Sequence, residues 1–180
     1  MPDSRQIRLT LSSFLCGLGL LVFAGFVFAD EDQSLKDRLA ILDVVSQYSY
    51  RWDSKDAAGF SKLFTVDAIM ESWQLGAKEP RSKLEGRQAI LEYAIQSHTG
   101  RLADRQTRHH QTAVIFLELT ATTARTENMV MVTHQTIDDR VAFISASGIY
   151  RNTWRKTDQG WKIASRALHV DRFVPPVKEP

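Results

Sequence analysis

The segment from Ser34 to Asp56, near the start of the chain, reads SLKDRLAILDVVSQYSYRWDSKD. Ser34 is a candidate helix N-cap, because its hydroxyl can accept a hydrogen bond from the first free backbone amides. The segment has a wide apolar face, which is typical of a helix that packs on a sheet. Asp56 is predicted to cap a second, shorter helix that extends to Phe64. The apolar residues recur at helical spacing, and they are Leu35, Leu39, Ile41, Leu42, Val44, Val45 and Tyr48.

The rest of the chain is predicted to form one strand, one helix and then a run of strands. Val66–Trp73 is typical of a strand, residues 76–81 of a loop, and residues 84–96 of a third helix. Helices grouped ahead of a meandering antiparallel sheet indicate an α+β fold. The pattern permits a bent sheet wrapped on the long helix, with an open mouth suited to an apolar ligand. Four β-like segments end the pattern, at residues 109–119, 124–137, 142–154 and 161–173.

The first 29 residues have the pattern of a secretory signal peptide. Arg5 and Arg8 precede an apolar run, and Val27-Phe28-Ala29 puts small residues at the positions a signal peptidase reads. The alternative is an N-terminal membrane anchor, because the apolar run reaches the roughly 20 residues of a spanning helix. We expect cleavage, and therefore a periplasmic or secreted protein without stable membrane anchoring. The predicted organisation is a signal peptide at 1–29, a leader at 30–33, one domain at 34–173 and a tail at 174–180.

The composition excludes several classes of site. The only cysteine, Cys16, lies in the predicted signal peptide, so the mature chain would have neither a disulfide nor a thiolate nucleophile. The formal net charge is +2 and the two signs are mixed along the chain, which gives no sign of a nucleic-acid partner. The sequence has no glycine-rich phosphate loop, nucleophile elbow or His-x-x-x-His helix motif. We therefore expect neither a metal nor a cofactor.

Asp53 and His109 form the most informative pair of residues. A carboxylate can hold an imidazole in one tautomer and raise its basicity, which equips the imidazole to remove a proton from carbon. Strand alternation directs His109 and His110 to opposite faces, and we expect His109 to face inward. His134 can share an inward face with the valines two and four residues before it. The alternatives are a helix cap or local ion pair for Asp53, a surface position for the adjacent histidines, and a core position for His134.

These residues stand in an order and spacing that resemble the SnoaL-like family of the nuclear-transport-factor-2-like superfamily. The resemblance covers residues 34–173 and implies a cone-shaped barrel, in which a curved, mostly antiparallel sheet wraps on a long N-terminal helix beside two shorter helices. It also implies a homodimer or homotrimer assembled through the sheet. The segments that carry the resemblance are Tyr48-x-x-x-x-Asp53-x-x-Asp56, Phe64-Thr-Val-Asp67-Ala68, Gly86-Arg-Gln-Ala-Ile, Thr107-Arg-His109-His110, and Asp158-Gln-Gly160-Trp161-Lys162-Ile163 ahead of Arg166.

The resemblance also implies roles for individual residues. Scytalone dehydratase, bile acid dehydratase and hexachlorocyclohexane dehydrochlorinase carry a catalytic aspartate and histidine where Asp53 and His109 fall. A second catalytic histidine of scytalone dehydratase maps onto His134, and an active-site tyrosine of bile acid dehydratase maps onto Tyr48. The chain departs from the pattern near Ser72, where scytalone dehydratase has a substrate-orienting tyrosine. Dehydration of a melanin precursor is therefore not implied.

The sequence thus predicts a cofactor-independent lyase of the dehydratase type, or an isomerase, acting on a small apolar ring or polyketide-like substrate. Arg166 is expected to bind substrate, and the alternative for it is an ion pair with a structural role. The alternative function is a non-catalytic domain of the same fold that binds a small apolar ligand or serves in assembly. An enzyme needs the carboxylate and imidazole in contact beside one enclosed pocket, whereas a binding protein needs only the pocket. The predicted catalytic residues are Asp53, His109, His134 and Tyr48, and the predicted substrate-binding residues are Tyr50, Trp73, Tyr150 and Arg166.

Overall fold

The computed structural model of the 180-residue chain describes residues 31–171. Its contacts divide the chain into two units, Met1–Leu39 and Ala40–Pro180. The described part of the first unit, residues 31–39, is helical. The predicted signal peptide and C-terminal tail lie outside the described residues. The predicted start of the first helix is wrong, because the backbone is already helical at residue 31, so Ser34 lies within the helix and cannot be its N-cap.

Helix α1 spans residues 31–53, and its residues 40–53 belong to the second unit. Helix α2 (Ala57–Ser61) follows, and the side chain of Asp56 accepts a hydrogen bond from the Gly59 amide at 2.8 Å, which confirms the predicted cap. The remaining elements are β1 (Phe64–Gln74), β2 (Ser82–Glu85), α3 (Arg87–Thr99), β3 (Arg105–Leu119), β4 (Thr123–Thr136), β5 (Phe143–Thr157) and β6 (Gly160–Val170).

The six strands form one sheet in the order β2-β1-β6-β5-β4-β3. All neighbours are antiparallel except β1 and β6, which run parallel because the chain crosses from one to the other by way of β3 to β5. Strands β3 to β6 are a meander joined by short turns, as the sequence predicts. The predicted α+β class is therefore confirmed.

The second unit buries its core between the sheet and one stripe of α1. Ile41, Val45, Tyr48 and Trp52 make up this stripe, at the spacing of three and four residues that keeps side chains on one side of a helix. The predicted apolar face is partly wrong, since Leu35 and Leu39 are more than half exposed, at 55% and 57%. From the sheet, the shorter helices and the turns that follow those helices, the core receives Phe60, Leu63, Phe64, Ala68, Ile90, Ala94, Leu102, Ala124, Val130, Val132, Tyr150, Trp154, Trp161 and Ile163.

Strand β2 corrects the predicted start of the third helix. Residues 82–85 pair antiparallel with β1, with Leu84 opposite Met70 and Glu85 opposite Ile69. The helix begins only at Arg87, after Gly86 turns the chain with a φ of 85° that favours glycine. A four-residue edge strand is held by its pairing with β1, and so short a segment gives little local signal of its own.

Strand β3 changes its inward face halfway along. Ala113 has a left-handed φ of 52°, and the pairing with β4 shifts register between Thr112 and Ile115. Such a bulge inserts one extra residue and reverses the alternation beyond it. Before the bulge the odd-numbered residues face inward, and after it Phe116 packs against the core.

Candidate active site

The end of α1 delivers Asp53 to three hydrogen-bond donors of β3. Its Oδ1 lies 2.7 Å from Nδ1 of His109 and accepts a hydrogen bond from the Thr107 hydroxyl at 2.7 Å. Its Oδ2 accepts from the backbone amide of His109 at 2.8 Å. Both side chains of the pair are nearly buried, with 8% of Asp53 and 10% of His109 exposed. The predicted contact between carboxylate and imidazole therefore exists, and several bonds fix its geometry.

These bonds also set the protonation states of the pair. Burial raises the pKa of the Asp53 carboxyl, but hydrogen bonds and charge from His109, with help from Thr107, outweigh burial and lower that pKa overall. Asp53 is thus ionised near neutral pH and accepts only. The hydrogen-bond network assigns the proton of neutral His109 to Nδ1, so Nε2 is the ring nitrogen left to accept a proton.

The two basic residues near Asp53 in the sequence bind other groups. Arg51 forms its ion pair with Asp56, with Nη1 2.7 Å from Oδ2. Lys55 donates to the carbonyl of Ala103 at 2.8 Å. Among the described residues, Asp53 is therefore paired across the fold with His109 and not with its neighbours in sequence.

A cavity of about 270 Å³ lies beside this pair. His109, His134 and Ser72 line it, together with Tyr48 and Tyr150. Its aliphatic lining comes from five strands of the sheet and from the turn before β3, so most of the wall is apolar with a few polar groups converging on it. Those aliphatic residues are Met70, Leu84, Leu102, Val132, Ala146 and Leu168. Other lining residues are Trp52, Tyr93, Arg101, Glu71, Ser82, Ser145 and Arg166.

Arg166 is fully buried at 1% exposure and lies over two tyrosine rings. Its guanidinium carbon is 3.7 Å from the ring centre of Tyr48 and 3.5 Å from that of Tyr150. Nη1 donates to Asn152 Oδ1 at 3.0 Å and Nη2 to Gln111 Oε1 at 2.6 Å, while Nε has no partner among residues 31–171. The structural ion pair considered for Arg166 is absent from this part of the chain, since both acceptors are neutral amides.

His134 and Tyr48 both line the cavity as neutral groups. Burial is the main cause that lowers the pKa of His134, and the charges of Arg105 and His109 lower it further. Burial raises the pKa of Tyr48 well above its usual value, and Tyr150 adds to this, while the charge of Arg166 opposes it. Both side chains can therefore donate hydrogen bonds into the cavity near neutral pH without changing charge.

Two predicted substrate-binding residues do not reach this cavity. Tyr50 is 78% exposed, because it lies half a helical turn away from the buried positions of Tyr48 and Trp52. Trp73 faces the other side of β1, where it stacks on His169 at 5.7 Å and donates to Glu71 at 2.9 Å. The prediction that Tyr50 and Trp73 line this cavity is therefore wrong.

Ser72 takes the place that Trp73 was expected to fill, since alternate residues of a strand face opposite sides. His110 likewise faces away from the cavity and is exposed, with Nε2 3.3 Å from the Thr133 hydroxyl. The predicted choice of His109 as the inward histidine is thus confirmed by its position beside the cavity.

Sequence reasoning missed the polar residues that hold the site. Thr107 and Gln111 flank His109 at a spacing of two, so all three side chains face α1, and this spacing is the signal that could have found them. Gln111 donates to the Ser49 hydroxyl at 2.6 Å and accepts from Asn128 at 2.9 Å. The network joins the strand that carries the imidazole to the helix that carries the carboxylate.

A family model for the SnoaL-like domain matches residues 33–167, three quarters of the chain. The chain belongs to the SnoaL-like domain family. A comparison with curated proteins gave no match. Within residues 31–171 of this SnoaL-like protein, no group of three or more histidine, cysteine, aspartate or glutamate side chains is placed to hold a metal ion. Every helix in the same range is too short or too polar to cross a membrane.

Solved structures share the fold of this SnoaL-like chain. A protein of unknown function from Mycobacterium tuberculosis is 27% identical, with a TM-score of 0.66 over 79% of this chain and 76% of that one. A structure named "Putative Scytalone Dehydratase" from Novosphingobium aromaticivorans is 24% identical, with a TM-score of 0.67 over 83% and 99%. An NTF2-like protein with a cystatin-like fold from the same species is 23% identical, with a TM-score of 0.67 over 82% and 90%. The predicted fold is therefore confirmed, as is the predicted SnoaL-like family.

Proposed function

We propose that this protein is a cofactor-independent lyase or isomerase that removes a proton from carbon. The observation that carries the proposal is the 2.7 Å contact between Asp53 Oδ1 and His109 Nδ1 beside the cavity. This contact leaves Nε2 as the base and keeps a carboxylate behind the ring to stabilise the imidazolium that forms. The substrate is a small apolar ring or polyketide-like molecule, because the cavity of about 270 Å³ has a largely apolar wall.

In the proposed reaction His109 Nε2 takes a proton from the carbon next to a carbonyl. The electron pair of the broken C–H bond forms a C=C bond, and the carbonyl π pair moves to oxygen as an enolate. In a lyase the enolate reforms the carbonyl and expels the β-hydroxyl, which leaves as water with the proton that His109 Nε2 took up, while Tyr48 and His134 donate hydrogen bonds to the carbonyl oxygen. In an isomerase the imidazolium returns its proton to a different carbon. Both reactions share the first step, and both are consistent with the positions of these residues.

The proposal predicts that His109→Gln and Asp53→Asn each lower turnover by about 10²–10⁴-fold, the usual contribution of a positioned base. The assay follows loss of water from a panel of small cyclic β-hydroxy ketones, and thermal unfolding is measured on the same preparations. His110→Gln is the matched control, because His110 is adjacent in sequence but exposed on the opposite face. Full turnover in His109→Gln, or a fall in turnover that only follows a loss of folded protein, would contradict the proposal.

Native mass spectrometry of protein purified from its source separates this proposal from the alternative function. A bound molecule with an acidic C–H next to a carbonyl, converted on incubation, supports the enzyme. A bound apolar molecule that stays unchanged, with equal affinity in wild type and His109→Gln, favours a binding domain.

We also propose that the mature protein is periplasmic or secreted, and that it assembles as a homodimer or homotrimer through the outer face of the sheet. Four apolar side chains on the outer face of β3 and β4 support the assembly, and between 39% and 58% of each is exposed. They lie opposite the cavity, because Met131 pairs with His110 and Ile115 with Glu127 across the two strands. We define this outer patch as Ile115, Leu117, Met129 and Met131.

A further inference from the structure

The cavity opens to solvent at one end, and the exposure of its lining residues shows which end this is. Tyr150 and Arg166 line the cavity and are buried, at 3% and 1% exposure, so they belong to its closed end. Arg101, Ser82 and Ser145 line the same cavity but are exposed, so they mark its mouth. A molecule that fills the cavity therefore ends beside one arginine and two serine hydroxyls.

Neutral groups hold the guanidinium of Arg101 at this mouth. Its Nη2 donates to Tyr93 Oη at 3.0 Å and to Ser97 Oγ at 3.3 Å. The three residues lie four positions apart, on one side of α3 and the turn that follows it. Nε and Nη1 of Arg101 have no acceptor among residues 31–171, and no carboxylate in that range forms an ion pair with it. The side chain thus presents a charge that is oriented but not neutralised.

Two other charged side chains near the mouth have partners of their own. Arg105 forms an ion pair with Asp104, with Nε 3.2 Å from Oδ1. Glu71 lines the cavity, but its Oε2 accepts from Trp73 Nε1 at 2.9 Å, on the opposite face of β1. Of the described residues that line the mouth, Arg101 therefore supplies the one positive charge without a carboxylate partner.

We propose that Arg101 binds a carboxylate of the substrate, whose apolar ring fills the cavity. A guanidinium binds a carboxylate through charge-assisted hydrogen bonds, and Nε and Nη1 are free to donate them. One unpaired guanidinium matches a singly charged group better than a phosphate dianion, which needs more positive charge. The serine hydroxyls can add hydrogen bonds to the same group. The inference rests on the proposed function for the reaction itself, and it narrows the substrate to a ring that carries an acid.

The position of Arg101 also makes such binding favourable. A carboxylate at the open end keeps part of its water, so the desolvation cost that opposes a buried ion pair is smaller there. The ring then extends inward to the apolar wall, where His109 lies. Arg101 is thus a specificity residue, since it fixes which end of the molecule stays at the mouth and which end reaches the base.

The test uses N-phenyl-1-naphthylamine, a neutral dye that brightens in apolar cavities, and measures its displacement by three competitors with one ring system. Naphthalene-2-carboxylate and naphthalene-2-carboxamide differ in charge but little in shape, and 2-naphthyl phosphate is mainly a dianion at neutral pH. We expect wild type to prefer the carboxylate to the carboxamide about tenfold, the lower end of the range for a hydrogen bond to a charged group. Arg101→Gln should abolish this preference with little change in carboxamide binding, and Arg101→Lys should keep part of it. Arg125→Gln is the matched control, because it removes an exposed arginine that does not line the cavity.

Ser145→Trp locates the dye, since a bulky ring at the exposed mouth should weaken dye binding. Circular dichroism checks that each variant is folded. Equal affinity of wild type for carboxylate and carboxamide, tighter binding of the phosphate than of the carboxylate, or dye binding that Ser145→Trp leaves unchanged would overturn the inference. His109→Gln should keep the preference for the carboxylate. No competitor is turned over, so the lyase proposal can fail in its own assay while this preference still stands.

Discussion

Among the individual residues, Asp53 is the one whose oxygen atoms accept hydrogen bonds from three donors on β3. It accepts from a hydroxyl, a backbone amide and a ring nitrogen, each at 2.7 or 2.8 Å. The sequence predicted the partner, because a carboxylate at a helix end and an adjacent histidine pair are recognisable types. It did not predict Thr107 as a third anchor, since a threonine on a strand has no distinctive signal. The residue types therefore predicted the chemistry of the pair. Thr107 can be identified as an anchor only from its position two residues before His109, which directs both side chains to the same face of β3.

A second buried histidine predicts how stability depends on pH. His98 is 6% exposed and lies edge-on to Trp52, with 4.8 Å between ring centres. Burial, and then the charges of Lys55 and Arg101, lower its pKa, although Asp53 opposes them. Between the lowered native pKa and the unfolded value of about 6.5, the unfolded chain binds the proton more readily. The stabilisation from neutral His98 is therefore complete above about 6.5 and is lost as pH falls towards the native pKa.

We expect His98→Leu to reduce the slope of unfolding free energy against pH in the window just below about 6.5. Urea unfolding at a series of pH values measures this slope. His110→Gln, which removes an exposed histidine, is the matched control for the loss of one imidazole. An undiminished slope in His98→Leu would show that another group titrates there.

At the scale of the element, the cap of α2 gives the most direct test of local structure. The Asp56 side chain accepts from the Gly59 amide at 2.8 Å and pairs with Arg51 at 2.7 Å. Asp56→Ala should lower the free energy of unfolding by about 1 kcal/mol, the usual cost of losing an N-cap. Asp56→Asn keeps a capping oxygen and loses the charge, so it should recover most of that loss. Urea unfolding at neutral pH compares the three proteins, and equal stability of wild type and Asp56→Ala would contradict the cap.

The elements also show where sequence patterns stop being sufficient. The helix α1 and the meander β3 to β6 were predicted, because periodicity and turn chemistry are local signals. The inward position of Arg166 was not readable in the same way. Ile163 faces the core, so strict alternation would direct Ser165 inward and Arg166 outward. A register shift between β5 and β6, at Thr153 and Trp154, changes the phase and brings Arg166 beneath the tyrosines.

At the scale of the whole molecule, the outer patch predicts self-association. Met129→Glu places a charge in the patch, and it should convert a dimer or trimer into monomers because a buried unpaired charge opposes association. Light scattering coupled to gel filtration measures the mass of both proteins. Tyr50→Ser is the matched control, since it removes an exposed aromatic from α1 and not from the sheet. A wild-type protein that is already monomeric would contradict the proposed assembly.

The bulge at Ala113 allows one strand, β3, to contribute to both the candidate active site and the core. It lets His109 face the cavity and Phe116 face the core, although the two lie seven positions apart and strict alternation would place them on opposite sides. Removing Ala113 would force a choice between the two, with either the imidazole or the phenyl ring turned out to water. One residue with a left-handed φ thus allows the half of β3 that carries His109 and the half that carries Phe116 to face the same side of the sheet.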